Sequence, residues 1–149
     1  MAIAVFVIIA LVVLFLFDKR DAQKSVKSQG GLQTKFSTFI RWAEIQRLSV
    51  NHKELVQTKL SNSVIEYRME LYDFENKRTK GYIFYTLTHL FATTIGCRVE
   101  LRNGYKHKGY MKEINELDAF KLDTYEDAFN SILKKIFESQ DFQNNYEKY

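Results

Sequence analysis

The sequence predicts an α+β protein, with one N-terminal transmembrane helix followed by a small domain of helices and a short antiparallel sheet. Three observations carry that prediction. Residues 2–17, AIAVFVIIALVVLFLF, run for sixteen positions without a charged or polar side chain. Ile65, Tyr67, Met69 and Leu71 alternate with Glu66, Arg68 and Glu70, which is the period-two mark of a half-buried strand. Asn103 and Gly104 stand between two further strand-like segments, and both residues tolerate the positive φ angles of a tight hairpin.

The first element reads as an anchor over residues 1–20. As a helix, residues 1–17 are roughly 25 Å long, at the short end of what spans a bilayer. Asp18, Lys19 and Arg20 follow at once and mark an interface. The basic side chains have aliphatic stems that let their charges reach back to water, which tolerates a short stretch. A cleaved signal peptide would carry a positive n-region and a small-residue cleavage site. Here only the α-amino group precedes the run, and Leu14, Phe15, Leu16 and Phe17 close it with bulk. A third reading, a buried core helix of a soluble protein, is disfavoured because the run is apolar on every face, whereas helices of small soluble domains keep one polar face. Lys19, Arg20, Lys24, Lys27 and Lys35 outnumber Asp18 and Asp21 just after the run. Lys and Arg stay on the cytoplasmic side, so the expected topology is N-terminus out and domain cytoplasmic. Those cations are also placed to hold anionic headgroups.

Residues 21–33 read as a juxtamembrane linker. Residues 18–28 continue the first helix, and Gly30 and Gly31 break it through their backbone entropy. A helix is then expected from Thr34 as N-cap, with Phe36, Phe39, Ile40 and Ala43 on one face and Trp42, Ile45 and Leu48 widening it. Residues 51–60 read as a second short helix with Leu55, Val56 and Leu60 inward. After the strand at 64–74, residues 76–81 (NKRTKG) form a charged turn.

Residues 82–95, YIFYTLTHLFATTI, read two ways. Their β-branched and aromatic content suits a strand, whereas their length and the following Gly96 suit a helix with a C′ glycine. The helix is the expectation taken. Strands at 97–102 and 105–114 follow, joined by a type I′ turn at Asn103 and Gly104, and residues 119–122 add a third. The last helix starts at Asp123 or Thr124. Asp123 and Glu126 have capping-box spacing, and Ala128, Phe129, Ile132, Leu133, Ile136 and Phe137 form the apolar stripe. Lys134 and Lys135 suit the end of that helix. The domain covers 34–141, and the polar residues 142–149 read as a fraying tail.

Composition limits the chemistry. At 149 residues the chain suits one small domain, and 15% aromatic residues supply a core that a disordered chain lacks. A single cysteine excludes an internal disulfide framework and multi-cysteine zinc sites. Cys97 lies beside Arg98, which points to the opposite face of a strand, so it reads as a small core residue. His52, His89 and His107 lack metal-ligand spacing, and no glycine window matches a phosphate-binding loop. Glu113, Glu116, Asp118, Asp123, Glu126 and Asp127 would suit a small metal-dependent enzyme such as a nuclease. They also explain themselves as turn residues, caps and a helix N-terminus. No catalytic, cofactor-binding or metal-binding residue is assigned, and the expectation leans away from an enzyme.

Charge is more informative. The chain carries 22 Lys and Arg against 18 Asp and Glu. Residues 98–108 hold Arg98, Arg102, Lys106 and Lys108 against Glu100 alone, while residues 112–149 hold five cations and nine anions. Arg98, Glu100 and Arg102 should share one face of the first strand, and Lys106, Lys108 and Tyr110 one face of the next. Such a ribbon suits phosphates and stacked bases, anionic headgroups, or plain solvent. Trp42 is a candidate interfacial anchor and equally a core residue. The candidate binding residues are therefore Trp42, Arg98, Arg102, Lys106, Lys108 and Tyr110.

Val99, Leu101, Asn103, Gly104, Gly109, Met111 and Leu122 give residues 96–122 a pattern that resembles the first motif of Sm-like RNA-binding barrels. That resemblance implies RNA contact. It departs at Asn115, where the family carries an Asp, and at Ala119, where many members carry an RNA-contacting Asn. It covers under a fifth of the chain, a helix replaces the second motif, and no family is assigned on it. The expected function is a membrane-anchored, non-enzymatic binding or regulatory module acting on a membrane-protein partner at the cytoplasmic face of a lipid bilayer. The alternative is a membrane-tethered nucleic-acid binder using the hairpin at 98–108.

Overall fold

Alternation of inward and outward side chains in the middle of the chain sets the architecture. The computed structural model describes residues 2–28, 30–49 and 55–148. Its elements are α1 (Ala2–Ser28), α2 (Leu32–Lys35), α3 (Ser37–Ser49), β1 (Leu55–Leu60), β2 (Val64–Asp73), β3 (Arg78–His89), β4 (Thr93–Leu101), β5 (Lys106–Ile114), a 3₁₀ turn (Asp118–Phe120), α4 (Leu122–Glu138) and α5 (Gln140–Glu147). The strands form one antiparallel sheet in the order β1-β2-β3-β4-β5, so the fold is α+β. Successive strands reverse at alternate ends. The turns at 61–63 and 90–92 and the exit from β5 therefore share one end with α2, and the tips at 74–77 and 102–105 share the other.

One face of the sheet is covered. Ile65, Tyr67 and Met69 of β2, Ile83, Tyr85 and Leu87 of β3, and Ile95, Cys97, Val99 and Leu101 of β4 are buried there. Phe36, Phe39, Trp42 and Ala43 pack on them from the α3 side, and Tyr125, Ala128, Phe129, Ile132 and Ile136 from α4. The Trp42 indole stacks on Phe129 at 4.5 Å between ring centroids and meets Tyr85 edge-on at 5.2 Å. Phe39 touches Tyr67, Tyr125 and Phe129 within the same cluster. The opposite face of the sheet stays open, as one-sided antiparallel sheets allow.

Helix α1 continues unbroken past Phe17 to Ser28, and Gly30 and Gly31, with φ of +85° and +90°, end it. The uncharged run measures about 24 Å along the axis, short of a hydrocarbon core of about 30 Å. Among the described residues no helix is long and apolar enough to cross a membrane.

Several sequence expectations are corrected. Residues 82–95 are not a helix: they form most of β3, a turn at Leu90, Phe91 and Ala92, and the start of β4. Alternating burial of Ile83, Tyr85, Leu87 and His89 lets both neighbouring strands pair with β3, a gain that an isolated helix lacks. Residues 55–60, expected as a helix, form edge strand β1, while 51–54 lie outside the described residues. Thr34 does not cap α3: its hydroxyl donates to the Gly30 carbonyl at 3.0 Å, inside the turn that holds α2. Residues 119–122 give no strand, because the 3₁₀ turn buries Ala119 under Tyr125. Asp123 and Glu126 make no capping box. Helix α4 follows Lys121 with no side-chain cap, and Glu126 instead accepts bonds from Trp42 Nε1 and Gln46 Nε2, both at 2.8 Å. Most of the expected tail is helical, as α5. Ser139 Oγ accepts from the Phe142 amide and opens α5, and Phe142 packs on Phe137 and Tyr146.

The far end is pinned by a buried ion pair. Lys80 Nζ lies 3.3 Å from the Asp73 carboxylate and 3.9 Å from the centre of the Tyr146 ring. Asn76 bonds Asp73 through its side chain and its amide, and these bonds, with help from Lys80, hold the Asp73 carboxyl down at about 2.

Glycine is required at two turns of β4 and β5. Asn103 does not take positive φ, so the turn is not type I′; Gly104 alone does, at +92°. The Gly104 amide bonds Leu101 O and the Leu101 amide bonds Tyr105 O, the pattern of a three-residue hairpin with a bulge. Gly109, with φ +78°, forms a second bulge, and a Cβ there would lie 1.8 Å from Cys97 O. Gly109→Ala should therefore destabilise the fold by roughly 1–3 kcal/mol, measured by urea unfolding. Gly104→Ala, with no atom within 4 Å of its Cβ, should cost clearly less. Equal costs would contradict the bulge assignment.

Candidate functional site

Strands β4 and β5 carry most of the sequence-predicted binding residues, and the register decides which of them meet. Glu100 pairs with Lys106, Val99 with His107 and Cys97 with Tyr110. Residues directly opposite share a face. Lys106 thus stands on the open face with Arg98 and Glu100, and Lys108 follows it two residues along. The bulge at Gly109 shifts the alternation, and Tyr110 turns to the side of Cys97 and His107, its ring 5.6 Å from the His107 ring. The expected grouping of Lys106, Lys108 and Tyr110 on one face is therefore corrected.

The basic residues are largely engaged. Arg98 lies 3.4 Å from the Glu66 carboxylate, bonds Glu100, and stacks 3.7 Å over the Phe84 ring. Glu66 in turn accepts from Thr58 at 2.9 Å and Thr86 at 3.1 Å. Lys106 reaches Glu100 at 3.8 Å, and Arg102 donates to the Tyr82 hydroxyl at 3.4 Å. Two carboxylates, one of them from a strand two places away, thus offset the charge that looked concentrated in the sequence. Lys106, Lys108 and Lys112 lie along β5, an edge strand, where lysines discourage the addition of further strands.

Trp42 is in the core. Its indole is 4% exposed, both its ring surfaces and its N–H are used, and no part of it is presented to a bilayer or a partner. Of the two placements the sequence allowed, the structure adopts the core. Ala119, at the position where Sm-like barrels contact RNA, is also buried, and its carbonyl accepts from the Tyr125 hydroxyl at 2.7 Å.

A second cluster forms where α2 meets the sheet, and sequence reasoning did not single it out. Lys35 Nζ lies 3.1 Å from the Glu116 carboxylate and 3.3 Å from His89 Nε2. His89 Nδ1 lies 2.9 Å from Thr93 Oγ1, and its ring contacts Phe36. His89 and Thr93 are both buried, so the hydroxyl is not presented to a substrate. Around this cluster stand Phe91, Leu117 and Phe120, all exposed, and Phe91 contacts Phe15 of α1 at 5.2 Å between ring centroids. Nothing in the sequence marks these residues as neighbours, because 81 positions separate Lys35 from Glu116.

Burial pushes the Cys97 thiol well above its usual range, which removes thiolate reactivity. Among the described residues no three His, Cys, Asp or Glu side chains converge to hold a metal ion. No family model, curated protein or solved structure matches this chain.

His89 gives this cluster a pH response. Burial first, and the Lys35 charge second, hold the imidazole below its usual range, with Glu116 opposing. Between that lowered value and about 6.5 the unfolded chain binds more protons than the folded one. The stability contributed by neutral His89 is complete above about pH 6.5 and is lost as the pH falls from there through the lowered folded-state value. The urea midpoint should drop between pH 7.5 and 5.5, and His89→Gln should flatten that drop. An unchanged slope in the variant would place the titration elsewhere.

Proposed function

We propose that this chain is a membrane-anchored, non-enzymatic binding module whose domain acts on a membrane-protein partner at the cytoplasmic face. The observation that carries this reading is the surface of α1. Val5, Val7, Ile8, Ile9 and every residue from Leu11 to Phe17 are exposed. Consecutive positions turn by 100°, so these side chains surround the helix. Soluble proteins leave apolar patches of only a few hundred Å² uncovered, and a helix apolar on all sides belongs in a core or in lipid. Lipid makes no demand for polar partners and accepts every face at once.

The short run is accommodated by Lys19 and Arg20 reaching back to the headgroups and by thinning of the bilayer, at a cost of fractions of a kcal/mol per Å. The cations after the run favour the cytoplasm for the domain. Tethering confines the domain near other membrane proteins and raises its effective concentration there, which gives a small domain without assembled catalytic groups a role. The nucleic-acid alternative has less support, since Arg98 and Lys106 are paired with carboxylates and Tyr110 faces away from Lys106 and Lys108.

Native membranes should retain the chain through alkaline carbonate washing, and the pair Leu11→Arg and Leu14→Arg should release it. Each arginine costs about 2.5–3.5 kcal/mol at the centre of an inserted helix. Release of the unaltered chain would remove the anchor. Crosslinking in the same membranes should recover one dominant membrane protein. Recovery of RNA or DNA instead, lost on neutralising Arg98, Arg102, Lys106 and Lys108, would favour the alternative.

A further inference from the structure

We propose that the β3–β4 turn and the neighbouring exit from β5 lie on the lipid surface, with Phe91, Leu117 and Phe120 inserted among the headgroups. This rests on the reading that α1 sits in lipid, and it adds a second, non-helical contact that fixes how the domain faces the membrane.

Three side chains define the contact. Phe91 sits in the β3–β4 turn, Leu117 in the exit from β5, and Phe120 closes the 3₁₀ turn. They are 53%, 74% and 62% exposed, so none contributes to the core. Turns normally carry polar residues at such positions. The topology brings all three to one end, where Phe91 and Phe120 line neighbouring clefts that share Glu116.

The occupant follows from α1. The Phe91 ring lies 5.2 Å from that of Phe15, and Phe15 stands two residues before the end of the apolar run. At 1.5 Å per residue that is about 3 Å from the polar boundary. Whatever medium surrounds Phe15 therefore surrounds Phe91, and the edge of the hydrocarbon is where exposed aromatics settle. The charge beside Leu117 does not oppose the contact. The carboxylates flanking Leu117 are both held by lysines, Glu116 by Lys35 at 3.1 Å and Asp118 by Lys121 at 2.9 Å. The 102–105 tip and α5 lie at the opposite end, turned away from the surface.

The test uses the full chain in vesicles of phosphatidylcholine with one quarter phosphatidylglycerol. Phe91→Cys, Leu117→Cys and Phe120→Cys are labelled one at a time with an environment-sensitive fluorophore, with Phe74→Cys at the far end as the reference. Cys97 is buried and stays unlabelled in the folded chain. The three rim labels should become several-fold less accessible to aqueous iodide than the Phe74 label and should be quenched by spin-labelled lipid. Rim labels as open to iodide as the reference, in a chain that floats with the vesicles, overturn this inference and leave the anchor standing. A chain that does not float overturns both.

Discussion

Trp42 is wedged between the face of Phe129 and the edge of Tyr85, and its N–H is tied to Glu126. This junction joins three elements that are far apart in sequence: α3, β3 and α4. Aromatic pairs of this kind add about 0.5–1.5 kcal/mol each beyond the burial itself, and Phe39, Tyr67 and Tyr125 extend the cluster. With α3 and α4 fixed over one face of the sheet, α2 must lie at the end where α3 begins and α4 leaves the 3₁₀ turn. That brings Lys35 to His89 and Glu116. The same placement leaves the opposite face and both sheet edges to solvent, and these are managed locally by the Arg98 network and by the lysines of β5.

The end of the domain nearest α1 and the end farthest from it are built differently. Near α1, exposed aromatic and aliphatic side chains surround a buried imidazole. At the far end, Asp73, Lys80 and Tyr146 lock α5 against the sheet. The asymmetry fits the proposed placement, with the apolar rim toward lipid and the closed, polar-capped end away from it.

Much of this was legible in the sequence where a single local signal acted alone. The alternation from Ile65 to Leu71, the apolar stripe of α4 and the glycine break after α1 each fixed their element. Legibility failed where tertiary pairing overrode local grammar. Leu90, Phe91 and Ala92 turn the chain without Gly, Pro or Asn, so β3 and β4 ran together as one helix-length segment. Residues 55–60 owe their strand to pairing with β2, which no local pattern announces. Asp123 and Glu126 have capping spacing, yet Glu126 is claimed by Trp42 and Gln46 from another helix. In the candidate site, the positions of Arg98, Lys106 and Lys108 were readable. The bulge at Gly109 that separates Tyr110 from them, and the Glu66 carboxylate that neutralises Arg98, required the register of three strands. The rim of Phe91, Leu117 and Phe120 was invisible because exposed apolar residues in turns carry no periodicity.

The central claim is that lipid covers α1, and hydrogen–deuterium exchange of the full chain in vesicles tests it most directly. Helix α1 is continuous from Ala2 to Ser28, so helicity alone would protect both halves alike. The claim predicts amides at 5–17 that resist exchange for hours, because water is absent, beside amides at 19–28 that exchange at the rate of a solvated helix. Equal, rapid exchange along the whole of α1 would contradict it.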